Sequence, residues 1–206
     1  MKMKLANLIS IVFHPIFIPT LIFATIFGFA PILARPLSNE ALLYILVAIF
    51  ITTFVIPLCS IGVLRFSDYI SSLAMKNRKE RVVPFLFVSI FYGITTYMFY
   101  AKMQLNQVLV LIMLSITIIS FLTAIITFFW KISAHSAAIA GLMGFLIAIM
   151  IKYSIGSLLI PVVLSVLVVG VVMSSRLYLN SHKPSEILAG GLLGFAFSFG
   201  TVFFIN

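Results

Sequence analysis

Long apolar runs separated by short polar breaks set the architecture of this chain. Residues 5–33, 41–64, 82–100, 108–130, 136–151 and 155–174 contain no Asp, Glu, Lys or Arg, and a last apolar run opens near Pro184. A helix needs about 20 apolar residues to cross the hydrocarbon core of a bilayer. Strands of a membrane barrel would alternate polar and apolar positions, and these runs do not. The pattern predicts an all-α fold: a polytopic integral membrane helical bundle of six to seven transmembrane helices, in one domain over residues 1–206.

Two stretches depart from a plain crossing. The first run exceeds one crossing and is interrupted by His14-Pro15 and Pro19; each proline removes a backbone donor and favours a kink. It reads as a single kinked crossing, with an interfacial piece followed by a crossing as the alternative. Over residues 65–81, Phe66, Tyr69, Ile70, Leu73 and Ala74 recur at helical spacing with Asp68 and Lys76 around the wheel. That pattern predicts a helix lying in the membrane interface. Further on, Ala137, Ala140, Gly141 and Gly144 in one run and Gly190, Gly194, Ala196, Ser198 and Gly200 in the last suit close helix approach.

Composition agrees: 63% of residues are hydrophobic and 8% charged, too few charges for a solvated surface around a soluble core. The net charge of +9 lies in loops, where it meets lipid headgroups. The basic clusters are short and sit at membrane edges, which argues against a nucleic-acid partner. Cys59 is the only cysteine, so no internal disulfide forms. Met1-Lys2-Met3-Lys4 before an apolar run resembles a signal peptide, but the run continues past His14-Pro15 and reads as an uncleaved first crossing.

Three polar clusters interrupt this apolar background. They are Lys76-Asn77-Arg78-Lys79-Glu80-Arg81, Lys131-Ile132-Ser133-Ala134-His135-Ser136, and the stretch from Ser175-Arg176 to His182 and Glu186. Two crossings separate each cluster from the next, so all three emerge on one side of the membrane. Convergence of dispersed polar groups is what a site requires. Glu186, four residues after His182, faces it across one helical turn and can fix its tautomer, leaving Nε2 as a nucleophile. Arg176 offers a guanidinium fork for a phosphoryl group. His135 can act as general acid, and the Ser133 hydroxyl and nearby N–H groups can hold phosphate oxygens. No carboxylate cluster suits two-metal chemistry and no Cys/His spacing suits zinc, so neither metal nor cofactor is expected. Taken singly, each residue also has a bland reading: a membrane histidine that packs helices, an arginine that snorkels, a basic loop that anchors orientation. His14 stands apart from the clusters and reads as structural or as lining an entrance.

The third cluster resembles the third motif of the type 2 phosphatidic acid phosphatase (lipid phosphate phosphatase) family, within the haloperoxidase-like superfamily: Ser-Arg, five residues, His, three residues, Asp. Here Glu186 takes the place of Asp. Ser133-Ala134-His135 resembles the second motif, Pro-Ser-Gly-His, with Ile132 for Pro and Ala134 for Gly. Lys76 to Arg81 with Pro84 loosely resembles the first, Lys, six residues, Arg-Pro; Ala74 stands at the family's Lys position, so Lys76 or Arg78 supplies that cation. The region between the first two motifs, usually an extramembrane loop in the family, is apolar enough here to cross twice.

The resemblance implies a metal-independent phosphatase. His182 attacks phosphorus, His135 protonates the leaving oxygen and then activates water, and Arg176, Arg81 and Ser133 hold the phosphate. The implied substrate is a membrane lipid phosphate or a polyprenyl (di)phosphate. A related lipid phosphotransferase and a non-catalytic lipid-binding or transport protein of the same fold remain the alternatives. Arg35, Lys102 and Lys152 fall on the side away from the clusters and the other ten Lys and Arg on the cluster side. The positive-inside rule then predicts a cytoplasm-facing site, in a bacterial inner membrane. Many bacterial members of the family face the periplasm instead.

Overall fold

The computed structural model describes residues 3–72, 75 and 77–204. Its helices are α1 (Met3–Val12), α2 (Ile18–Phe29), α3 (Asn39–Phe50), α4 (Ile56–Phe66), α5 (Lys79–Tyr97), α6 (Gln107–Phe129), α7 (Ala134–Lys152), α8 (Leu159–Tyr178) and α9 (Pro184–Phe204). Joined by short 3₁₀ or π-helical turns, they make seven segments long and apolar enough to cross a membrane. The protein is an all-helical, membrane-spanning bundle, with no strand among the described residues.

Prolines place the irregular turns. His14 adopts an extended conformation before Pro15, so the first run is broken there rather than bent. The Ser10 hydroxyl lies 3.4 Å from that of Ser175 near the end of α8, while Ser157, in the 3₁₀ turn just before α8, donates to the Phe29 carbonyl. Residues 10–29 therefore traverse the length of α8 once. Between α3 and α4 the turn Ile51–Val55 is π-helical; Pro57 has no N–H to give to the Thr53 carbonyl, and the helix widens just before it.

The interfacial helix expected over residues 65–81 does not form. α4 ends at Phe66, and the described residues from Ser67 to Arg78 are turns, bends and irregular chain, with Asp68 and Met75 at positive φ (56° and 41°). Glu80 Oε2 accepts from both the N–H and the hydroxyl of Ser71 (3.2 and 3.0 Å), offering that backbone a partner other than a helical carbonyl. Ile70 is buried completely, so the segment folds back onto the bundle instead of floating at its edge.

α7 is the central helix, and its contact with α9 fixes the site. The two run parallel, with Gly190, Gly194 and Ser198 facing Ser133, Ala137 and Gly141 at intervals of four residues. Such spacing keeps small side chains on one stripe of each helix and lets the backbones touch. A Cβ on Gly194 would collide with the Ala137 carbonyl, and one on Gly144 would press on the Phe195 carbonyl. Gly200 and Ala196, expected on the same stripe, lie off it: Ala196 is exposed, and among the described residues a Cβ on Gly200 would approach only Phe204 of its own helix. Gly194→Ala should therefore destabilise the bundle by about 1–3 kcal/mol in unfolding from detergent micelles. Gly170→Ala, where a Cβ meets nothing within 4 Å, should not.

Candidate active site

Because α7 and α9 run parallel in close contact, their N-termini arrive together. The Ser133 N–H donates to the Glu186 carbonyl (3.1 Å), tying the second cluster to the third. α8 ends just before: Asn180 takes a left-handed φ of 47°, and the Ser181 N–H returns to the Arg176 carbonyl (3.2 Å). That tight turn delivers His182 to the start of α9, where it is buried.

Glu186 holds two groups there. Its Oε2 accepts from the backbone N–H of Lys183 (3.2 Å), the return bond of a helix capping box. The same oxygen accepts from His182 Nδ1 at 2.8 Å. The proton of the neutral ring therefore sits on Nδ1, and Nε2 carries the lone pair. Arg81 Nη1 points at that Nε2 from 3.4 Å. Arg81 is itself held by the refolded loop, its Nε donating to the Met75 carbonyl at 2.7 Å.

His135, in the first turn of α7, lines the same cavity; its Nε2 donates to the Ser10 carbonyl (3.1 Å) and so leaves Nδ1 basic. Arg176 lines it too, and its buried Nε has no partner among the described residues. Arg81, Lys131 and Arg176 thus border the cavity with the Glu186 carboxylate beside them. That excess of positive charge suits a multiply charged anion. Burial pushes the His182 ring down to about 4; the Glu186 hydrogen bond opposes this, and Arg81, Arg176 and Lys131 reinforce it. Burial and the neighbouring guanidiniums of Arg81 and Arg176 likewise lower the Lys131 ammonium, against the pull of Glu186.

The cavity measures about 1010 Å³ and changes character with depth. Beyond the charged end its walls include Ile22, Val88, Tyr92, Ile116 and Phe145. Phe145 is eleven residues past Ala134 on α7 and Tyr92 eleven past Arg81 on α5, each about 16 Å down its helix, or half the roughly 30 Å hydrocarbon core. A polar head at the charged end and an apolar tail along these walls would both be matched.

Of the residues singled out from sequence, the structure brings His182, Glu186, Arg176, Arg81 and His135 together. Ser133 is placed apart from them: it is fully buried as the N-cap of α7, accepting from the N–H and hydroxyl of Ser136 (3.3 and 2.9 Å), and is not among the residues that line the cavity. Arg78 lines a separate small cavity with Tyr69 and Lys79. Lys76 lies outside the described residues. Lys131, which opens the second cluster, and His14, read from sequence as structural or as lining an entrance, were left out of the expected site, yet both line the main cavity. Their signal was present: Lys131 opens the Ser-Ala-His cluster, and His14 is a polar residue at a helix break. Among the described residues, no three His, Cys, Asp or Glu side chains gather as a metal-ligand set. Protein-family models, curated proteins and solved structures contain no match to this chain.

Proposed function

We propose that the chain is a membrane phosphatase that hydrolyses a lipid phosphate or polyprenyl (di)phosphate through a phosphohistidine intermediate. One observation carries this reading: a buried imidazole with Nδ1 bound to a carboxylate and Nε2 turned to a guanidinium, at the charged end of a cavity with an apolar floor. His182 Nε2 attacks phosphorus, the bond to the lipid oxygen breaks, and protonated His135 gives its Nδ1 proton to that oxygen. A water then attacks the phosphohistidine, yielding its proton to His135 Nδ1. The P–N bond breaks, freeing phosphate and restoring both rings. Arg81 and Arg176 stabilise the charge on the transferring group. No step requires a metal. The basic loops at this end of the bundle support placing the site at the cytoplasmic face of a bacterial inner membrane.

The purified protein in detergent should release phosphate from dioctanoyl phosphatidic acid or farnesyl diphosphate with EDTA present. An acid-labile phosphoenzyme should be trapped on brief mixing. Failure to release phosphate or to form the phosphoenzyme with either lipid would overturn the reading.

A further inference from the structure

The first apolar run contributes more to the cavity than a wall. His14 sits at its break, with φ −66° and ψ 136°, between α1 and the 3₁₀ turn Pro15–Phe17. Pro15 disfavours a helical conformation at the residue before it, so the break falls at this histidine. The Ile16 N–H donates to His14 Nδ1 at 3.5 Å. A nitrogen that accepts is unprotonated, so the proton of the neutral ring lies on Nε2. Nε2 has no hydrogen-bond partner among the described residues, and His14 lines the cavity.

The surroundings of that N–H are those of the site. The His14 ring meets His135 edge-on at 5.5 Å between centroids, and Arg176 stands within electrostatic reach of both rings. The same segment anchors His135 through the Ser10 carbonyl. Three cations already border the cavity, and a neutral N–H adds a hydrogen bond to an anion without adding charge. Donors of this kind, fixed in advance where charge gathers, are worth about 10²–10³-fold in rate.

We propose that His14 is a phosphate-binding residue, its Nε2–H donating to an oxygen of the anionic headgroup that the cavity admits. The proposal rests on the cavity being a phosphate site, and the bland alternative is that His14 only caps the 3₁₀ turn through Nδ1.

Two substitutions separate these roles. His14→Gln carries an amide N–H near the Nε2 position, whereas His14→Asn keeps an acceptor near Nδ1 and loses the donor. His14→Asn should unfold at the wild-type temperature and lose about 10²-fold in kcat/KM on dioctanoyl phosphatidic acid. His14→Gln should stay within about tenfold of wild type. The opposite order, with Asn fully active and Gln impaired, would assign His14 to capping alone.

A second readout is independent of turnover. The full chain with ¹⁵N-labelled histidine, in micelles and with His182→Asn to block chemistry, is titrated with inorganic phosphate. The ring-nitrogen signal that disappears in His14→Gln or His14→Asn should shift and saturate. An unmoved signal overturns the His14 assignment even if the wild type hydrolyses lipid phosphates. A saturable shift in a protein that turns over no lipid phosphate leaves His14 standing and removes the phosphatase instead.

Discussion

His182→Asn is expected to abolish turnover, by about 10⁴- to 10⁶-fold, while leaving the bundle folded. The asparagine amide can still donate to Glu186 from the place of Nδ1, so the local hydrogen bond survives; what disappears is Nε2, the atom that faces Arg81. Loss of activity without loss of melting temperature would separate chemistry from packing. The pH profile adds a sign. The folded ring is held near 4, below the ordinary 6.5, so it is neutral and Nε2 keeps its lone pair through the whole neutral range. As far as His182 sets it, the acid limb of kcat/KM should fall near pH 4 rather than near 6.5. The unfolded chain binds this proton below 6.5 and the folded chain only near 4. Stability from this group is therefore present above 6.5 and lost as pH falls through that window. An acid limb near 6.5 that moves when His182 is replaced by another nucleophile would contradict the assignment.

What sequence reveals here follows from what a bilayer forbids. Charges are confined to the ends of apolar runs, so the number of runs between clusters states which clusters share a side. That parity puts Arg81, His135 and His182 on one side, and Gly190 and Gly194 supply the close approach that aligns α7 with α9. Glu186 was legible because one helical turn separates it from His182. The misreadings belong to segments where the bilayer imposes no pattern. Residues 65–81 carry a helical periodicity, but the Glu80 carboxylate and the burial of Ile70 fold the chain back as a loop. That loop sets Arg81 through a backbone carbonyl, which no side-chain pattern encodes. Arg78 and Arg81 look equivalent in a basic cluster. Only the first turn of α5 decides that Arg81 enters the main cavity while Arg78 faces another. The Ser133 hydroxyl is the N-cap of α7, and a hydroxyl at a helix start suits an anion and a cap equally well, so sequence alone does not separate the two roles.

The second large effect should come from Glu186→Gln, and its direction follows from one oxygen. Oε2 now accepts from both His182 Nδ1 and the Lys183 N–H. Glutamine retains one oxygen and gains an NH₂. If the oxygen continues to cap Lys183, the NH₂ faces Nδ1, which must then accept. The ring proton moves to Nε2, the nitrogen that should attack phosphorus, and Arg81 is left donating toward another donor. Replacing an orienting carboxylate by an amide in this way costs about 10⁴-fold in a serine protease, and a loss of about 10³–10⁴-fold in kcat is expected here. KM should change much less, because Arg81 and Arg176 still meet the anion. Glu186→Asp keeps the charge but withdraws the carboxylate by one methylene from a contact already at 2.8 Å, so it should lose less than the amide. The comparison also tests Glu186 as the chain's departure from the Asp of the motif it resembles. An Asp variant more active than the wild type would mean that the present reach of Glu186 is not what orients His182. A Gln variant with full kcat would mean that His182 needs no orienting carboxylate, and the nucleophile would have to be sought in another ring of the cavity.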